Sequence, residues 1–298
     1  MFQSGFVNII GRPNVGKSTL MNAILGDRLS IITNKPQTTR HRIFGILNDE
    51  NYQIVFSDTP GMIRDPRYKM QEKMNVYANS TFEDADIMLF VTDMQEKYTE
   101  DDPIIARLKN VKMPLILLLN KIDTVKQDFV VEQIAEWKTR ANFLDIIPIS
   151  ALNKFNTDAL IEKLLTLLPE GPKYYPDDQM TDRSERFFAS EMIREKILLL
   201  YSEEIPYSCE VNIDSFKEGT TMAGKPIIRI GATIFVARKT QKPIMLGKNG
   251  DMIKKLGTEA RKELEKFFDS AVFLELFIKV KENWRDDDKI LDFFGYNR

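Results

Sequence analysis

The chain has 298 residues, of which 43% are hydrophobic, and a formal net charge of -2. That length suits two modest domains, each with its own core, better than one. No stretch approaches the roughly 18 apolar residues of a membrane span, the start Met1-Phe2-Gln3-Ser4 lacks the features of a signal peptide, and a single Cys209 and a single His41 exclude an internal disulfide and chemistry built on paired histidines.

In chain order, short apolar runs at residues 6–10, 54–57, 87–92, 115–119 and 146–149 alternate with helical patterns across the first 168 residues. Buried parallel strands alternating with helices predict an α/β layered fold, a mostly parallel sheet with helices on both faces. Residues 42–47 also read as a strand, and Asn48-Asp49-Glu50-Asn51 suits a hairpin turn, so one antiparallel edge pairing is expected. After a helical run at 158–168 come Pro169-Glu170-Gly171-Pro172 and Tyr174-Tyr175-Pro176-Asp177-Asp178, a linker by composition. The expected limits are a first domain at 1–170, a linker at 171–184 and a smaller α+β domain at 185–298. A reducing cytoplasm is the expected compartment, with Cys209 a small buried residue on an apolar pattern.

Directly after the first strand, Gly11-Arg12-Pro13-Asn14-Val15-Gly16-Lys17-Ser18 fits the phosphate-loop pattern, and an amphipathic helix follows. Glycines let the backbone curl so that amides of Gly11, Asn14, Val15, Gly16 and Thr19 can face phosphates, and the helix adds its positive N-terminal dipole. Lys17 is expected to bridge the β and γ phosphates, and Ser18 to ligate Mg²⁺. The strand at 54–57 ends in Asp58-Thr59-Pro60-Gly61, where Asp58 can hold Mg²⁺ through water and the Gly61 amide can meet the γ phosphate.

Another strand ends in Asn120-Lys121-Ile122-Asp123. The Asp123 carboxylate can accept two hydrogen bonds from N1 and the exocyclic amino group of guanine, and adenine would leave it buried and unpaired. GTP and GDP are therefore the expected ligands. Ser150-Ala151-Leu152, after the last strand of this region, is placed to support the base through the Ala151 amide. From these residues alone the catalytic set is Lys17 and Gly61, and the metal set Ser18 and Asp58.

These elements in this order resemble the translation-factor-related GTPases, and Lys35-Pro36-Gln37-Thr38-Thr39-Arg40-His41-Arg42 resembles the first switch of the bacterial Era family. The effector threonine of that family, which joins Mg²⁺ and the γ phosphate, maps to Thr39, with Thr38 as the alternative. Many GTPases orient the attacking water with a glutamine just after the Asp-x-x-Gly turn, where this chain has Met62, so slow intrinsic hydrolysis is expected. Asn14 resembles the asparagine that helps related GTPases bind a monovalent cation. Potassium is thus a candidate cofactor, beside the reading that Asn14 only shapes the loop.

Beyond the linker the pattern gives a helix at 187–204, strands at 209–216 and 227–238, a helix at 251–268 and a strand at 273–280. Gly247-Lys248-Asn249-Gly250 opens the second helix and resembles the KH RNA-binding module. Two glycines let a nucleic-acid backbone approach, Lys248 can neutralise phosphate, and Ile244, Leu246 and Ile253 give bases a dry surface. Arg238, Lys239, Asn249 and the same glycines complete the expected RNA-binding set. Between positions 217 and 266 there are 12 basic against 5 acidic residues, an asymmetry that points to a polyanion.

A GTPase domain followed by this second domain looks like the Era family over nearly the whole chain, including Trp284-Arg285-Asp286-Asp287 and Gly295-Tyr296. The resemblance implies binding of single-stranded ribosomal RNA near the 3′ end of 16S rRNA, a role in assembling the small ribosomal subunit, and some peripheral association with the inner membrane. The alternative is a GTPase whose basic C-terminal domain docks on a membrane surface or protein partner. A monomer is the default.

Overall fold

Gln3–Ile10 form β1, and the glycine-rich loop that follows it hands the chain to helix α1, Lys17–Leu25. The computed structural model describes residues 1–63 and 65–296. The chain divides into two compact units, one of Met1–Asp65 with Met74–Asp182 and one of Pro66–Lys73 with Arg183–Arg298.

In the first unit the remaining strands are β2 Ile43–Asn48, β3 Tyr52–Asp58, β4 Ile87–Asp93, β5 Leu115–Asn120 and β6 Asp145–Pro148. The helices after α1 are α2 Lys69–Ser80, whose first turns belong to the second unit, α3 Pro103–Leu108, α4 Gln127–Trp137 and α5 Thr157–Leu165. The sheet runs in the order β2-β3-β1-β4-β5-β6. Among the described residues, β2 and β3 pair antiparallel through the turn expected at 48–51, and the other strand pairs of this sheet are parallel. All seven residues of β4 and all six of β5 are buried, because helices cover both faces of a parallel sheet and leave no wet side for alternation. With β1 in the middle, the loops leaving β1, β3, β5 and β6 gather at the carboxyl edge of the sheet, where open α/β sheets bind ligands.

The segment expected as a linker lies along the β2 edge of this unit. Gln53, fully buried, accepts from the Tyr174 and Tyr175 amides at 2.7 and 3.0 Å and donates to the Tyr175 carbonyl at 2.8 Å. Asn48 donates to the Asp177 and Gln179 carbonyls, Ile46 N donates to Met180 O at 2.8 Å, and Phe44 N donates to Asp182 Oδ1 at 3.0 Å. The strap thereby satisfies donors that an edge strand would otherwise expose.

The second unit contains α6 Glu185–Leu200, α7 Ile205–Ser208, β7 Cys209–Thr220, β8 Pro226–Val236, α8 Gln241–Leu246, α9 Asp251–Phe268, β9 Ala271–Val280 and α10 Asp288–Phe293. Helix α6 ends four residues earlier than its pattern suggests, at Leu200, and Pro206 sits in the first turn of α7, where its missing amide is harmless. Strand β8 pairs antiparallel with β7 and parallel with β9, while α6 and α9 pack on the sheet. Leu256, Ala260 and Leu264, spaced four apart, are the buried stripe of α9. Trp284 is fully buried and donates from Nε1 to Ser208 O at 3.0 Å, and Tyr296 donates to Glu210 Oε2 at 2.7 Å. Trp284 and Tyr296 of the C-terminal motifs are thus core of this unit, and Cys209 is buried beside Met245 as expected.

Candidate functional site: a nucleotide cavity and a glycine-turn loop

A cavity of about 730 Å³ opens at the carboxyl edge of the first sheet, large enough for a nucleotide. From the phosphate loop and α1, Asn14, Gly16, Lys17, Ser18 and Thr19 line it. Thr38, Thr39, Gly61 and Met62 line the side facing them, and Asn120, Lys121, Asp123 and Leu152 form the far end. Gly11, Val15, Asp58, Ser150 and Ala151 stand behind this lining, all buried. Gly16 has φ 100° and a side chain there would stand 2.2 Å from Asn120 Nδ2, so only glycine fits between the loop and the guanine-end strand.

Lys17 is 6% exposed, and its ammonium donates to the carbonyls of Gly11 at 3.1 Å and Arg12 at 2.9 Å. Burial pulls its pKa down to about 8, partly offset by the Asp58 charge. Asp58 is fully buried; desolvation raises its pKa, opposed by Lys17 and by the hydroxyl of Ser18. Ser18 Oγ lies 2.7 Å from Asp58 Oδ2 and 2.9 Å from Thr39 Oγ1. Among the described residues, the buried Asp58 Oδ1 makes no hydrogen bond of good geometry, although the Ser30 hydroxyl and the Thr59 amide also oppose the upward shift of the carboxylate. Two hydroxyls and one half-satisfied carboxylate are the hard oxygen donors that Mg²⁺ takes beside phosphate and water, so these residues fit the ion.

The two threonines differ in what their hydroxyls meet. Thr38 Oγ1 is engaged with Thr33 Oγ1 and Lys35 O, both at 2.6 Å, while Thr39 faces Ser18. The segment around them is not a solvated loop, since Thr38, Arg40 and His41 are all buried.

At the guanine end, Asn120 Nδ2 donates to Val15 O at 2.8 Å and its Oδ1 accepts from Ala151 N at 2.9 Å. Asn120 therefore ties the phosphate loop to the Ser-Ala-Leu turn. The Ala151 amide, expected to support the base, is engaged with Asn120. The Asp123 carboxylate is exposed, so the penalty expected against adenine would arise only when a base covers it. Asn14 is exposed at φ 65°, donates to Asn34 O at 3.1 Å and accepts from Lys121 Nζ at 2.8 Å.

Sequence reasoning passed over Asn22. Its side chain, in mid-α1, accepts from Leu29 N and Ser30 N and donates to Ser30 O at 2.7 Å, gripping the start of the loop that carries Thr39. An asparagine inside a helix, where its own propensity is poor, was the available signal.

In the second unit α8 ends at Gly247, which has φ 73° and whose absent side chain would stand 2.7 Å from Met252 Cγ. Lys248, Asn249, Arg238, Lys239 and Ile244 are exposed, with Leu246 and Ile253 half-buried. No side chain caps the N-terminus of α9, entered through Gly250 at φ 80°, so its first amides remain available to an anion. Arg261 and Lys262, part of the basic excess, are paired with Glu265 at 2.7 Å and Glu259 at 3.0 Å on the same helix. The cationic face is thus concentrated nearer the glycine turn, at Lys248, Lys254 and Lys255, than the residue count alone implies.

Residues 6–121 match the 50S ribosome-binding GTPase family and residues 204–285 match the KH domain family. GTPase Era of Syntrophus aciditrophicus is 50% identical over 298 residues, covering 100% of this chain and 96% of the relative. The chain belongs to the Era family of GTPases. GTPase Era of Clostridium kluyveri is 46% identical, covering 99% of this chain and 100% of its own. A variant of Aquifex aeolicus Era solved with GDP·AlF4⁻ superposes with a TM-score of 0.92 at 38% identity, over 99% of each chain. Era solved with MgGDPNP and nucleotides 1506–1542 of 16S ribosomal RNA gives 0.93 at 38% identity, again over 99% of each chain. The Era architecture of a P-loop GTPase domain followed by a KH domain is therefore that of this chain.

Proposed function

We propose that this chain is a GTP-hydrolysing switch that binds single-stranded ribosomal RNA at the 3′ end of 16S rRNA and assists assembly of the small ribosomal subunit. The observation that carries the nucleotide half is the cluster of Ser18, Thr39 and Asp58 beside Lys17, in which one oxygen of the buried Asp58 carboxylate meets Ser18 and the other has no hydrogen bond among the described residues. Mg²⁺ held there would offset the negative charge of the β and γ phosphates. Lys17 neutralises the β and γ phosphates, the Gly61 amide meets the γ phosphate, and Asp123 reads the amino edge of guanine. Met62 lines the cavity where many GTPases carry a glutamine; its thioether cannot orient water, so the intrinsic rate is slow and the attacking water is positioned by backbone or by a bound partner. K⁺ beside Asn14 would offset transition-state charge as an arginine finger does.

The RNA half rests on the glycine turn, the uncapped start of α9 and the exposed Lys248, and is supported by the full-length Era relative solved with an RNA fragment. Docking on a membrane or a protein in place of RNA is the less favoured reading. The domain limits of 1–170, 171–184 and 185–298, a monomeric state and a cytoplasmic site with some peripheral membrane association belong to the same proposal. Turnover of GTP with and without a 16S 3′-end oligonucleotide tests it. Turnover that depends on Mg²⁺, with retardation of the RNA that salt weakens, is expected; no turnover and no retardation would sink the proposal.

A further inference from the structure

Arg12 lies inside the phosphate loop, yet its guanidinium is turned away from the cavity, and Arg12 is not among the residues that line it. Nη1 donates to Glu96 Oε2 at 2.6 Å and to Lys97 O at 2.9 Å, Nη2 pairs with Asp102, and the guanidinium lies 4.1 Å from the centre of the Tyr98 ring. Asp102 is 4% exposed and also caps α3 by accepting from Ile104 N at 3.1 Å. A planar fork held by two carboxylates and an aromatic face has one orientation, unlike a solvated arginine. The main chain of Arg12 is therefore held too, and its carbonyl is the acceptor, 2.9 Å away, for the Lys17 ammonium.

The loop that holds Arg12 is itself fixed from the guanine end. Asp93 Oδ1 accepts from the amides of Gln95 at 2.9 Å and Glu96 at 3.0 Å, while its Oδ2 pairs with Lys121 Nζ at 2.5 Å. The same Lys121 ammonium donates to Asn14 O at 2.8 Å. Two charged braces, one through Arg12 and one through Lys121, thus hold opposite ends of the loop 11–14 against residues 93–102.

We propose that Arg12 is a positioning residue for the phosphate cradle: clamped by Glu96 and Asp102 on its outer side, it holds the loop carbonyls and amides in the shape that the β phosphate and Lys17 require. The proposal rests on the GTP-binding reading above. Removing the clamp leaves Lys17, Ser18 and Asp123 in place but lets the loop relax, so the loss falls on how long phosphate is held and not on which base is chosen.

The test is the release rate of the fluorescent nucleotide mant-GDP from the full chain with Mg²⁺, by stopped flow, alongside the melting temperature of the nucleotide-free protein. The parent must first bind mant-GDP; if it does not, the GTPase reading fails and this proposal with it. Given binding, Arg12→Ala is expected to release about ten-fold faster, the factor that corresponds to about 1.4 kcal/mol, with guanine still preferred over adenine as in the parent. Arg12→Lys, which keeps the charge but loses the fork, is expected to recover part of the difference. Glu96→Gln covers the case in which Arg12→Ala does not fold, since Glu96 is part-exposed, and is expected to move release in the same direction. The double variant Arg12→Ala/Glu96→Gln should be no faster than Arg12→Ala alone. Exposed Glu100, in the same loop, is the control, with Glu100→Gln expected to match the parent. Parental release from Arg12→Ala or from Glu96→Gln, or additive effects in the double variant, would overturn the assignment.

Discussion

Ser18 Oγ stands 2.7 Å from Asp58 Oδ2, while the other oxygen of that buried carboxylate makes no hydrogen bond of good geometry among the described residues. A buried half-satisfied carboxylate is costly unless something binds there, and the hydroxyls of Ser18 and Thr39 beside it make that something a hard cation. Ser18→Ala is therefore expected to weaken Mg²⁺-dependent GDP binding by ten-fold or more, on the order of the 1.5–3 kcal/mol of a charge-assisted contact. The residual affinity should no longer respond to EDTA. Parental Mg²⁺ dependence in this variant would remove Ser18 from the metal set.

The pH response of Lys17 follows from its burial. Its pKa in the nucleotide-free fold is about 8, against an ordinary value of 10.5. Between those values the unfolded chain keeps a proton that the fold has shed, so the stability of the nucleotide-free protein rises with pH across that window, by about 3 kcal/mol in all. Phosphate requires the charged form, so nucleotide affinity should fall above pH 8 by about ten-fold per pH unit, with proton uptake on binding. Titration calorimetry at pH 7 and 9.5, in buffers of different ionisation enthalpy, measures both. Equal affinity at the two pH values would mean that Lys17 keeps its proton in the empty site.

Much of this site was legible because phosphate loops and guanine-reading turns are local. Gly16, Lys17, Ser18, Asp58, Asn120 and Asp123 each sit within a few residues of a strand end, and the apolar runs of β4 and β5 place those ends together. What stayed hidden depends on long-range partners. Helix α2, mean hydropathy low and polar on most positions, gives a weak periodic signal, and α8 is a short turn that its apolar run disguised. Nothing in Ser-Ala-Leu tells that Asn120, 31 positions away, accepts from the Ala151 amide. The structural roles of Gln53, Asn48 and Arg12 likewise come from partners far along the chain.

Base choice is expected to reside in Asp123. Asp123→Asn replaces a double acceptor with a group that can donate to a carbonyl, so GTP should bind more weakly and xanthosine triphosphate more tightly than in the parent. A swing of 10- to 1000-fold in the ratio is on the order that unpaired polar groups produce. Competition against mant-GDP reads both ligands. An unchanged ratio would place guanine recognition elsewhere.

The glycine turn can be tested without breaking the fold if the substituted position is chosen from the space around it. At Gly247 a side chain would collide with Met252, whereas at Gly250 the nearest atom is 3.9 Å away. Lys248→Glu, on an exposed side chain, avoids strain altogether and reverses a charge at the turn. It should weaken RNA binding and flatten the plot of log affinity against log salt by about one phosphate contact or more, while mant-GDP affinity stays at the parental value. RNA binding with the parental salt slope would move the interface away from the turn.

Nucleotide state and RNA affinity are expected to be linked, and the strap on β2 is the element that would carry the link. Strand β2 begins at Ile43, four residues after Thr39, so a loop that lets go of the γ phosphate pulls on the strand to which residues 174–182 are bonded. Release of that loop is expected to reach the strap through its hydrogen bonds to the Asn48 and Gln53 side chains and the Phe44 and Ile46 amides. By reciprocity, whatever factor GTP adds to RNA affinity, RNA adds to GTP affinity, and typical coupling of about 1 to 3 kcal/mol corresponds to roughly 5- to 150-fold. Asp182→Ala removes one acceptor from the strap and leaves the buried Gln53 contacts whole, so the fold should persist while the coupling factor shrinks. RNA titrations with GDP, with a non-hydrolysable GTP analogue and with no nucleotide measure the factor in parent and variant. Identical RNA affinities in all three states of the parent would show that the two units are joined without being coupled, and a parental factor in Asp182→Ala would take that contact out of the linkage.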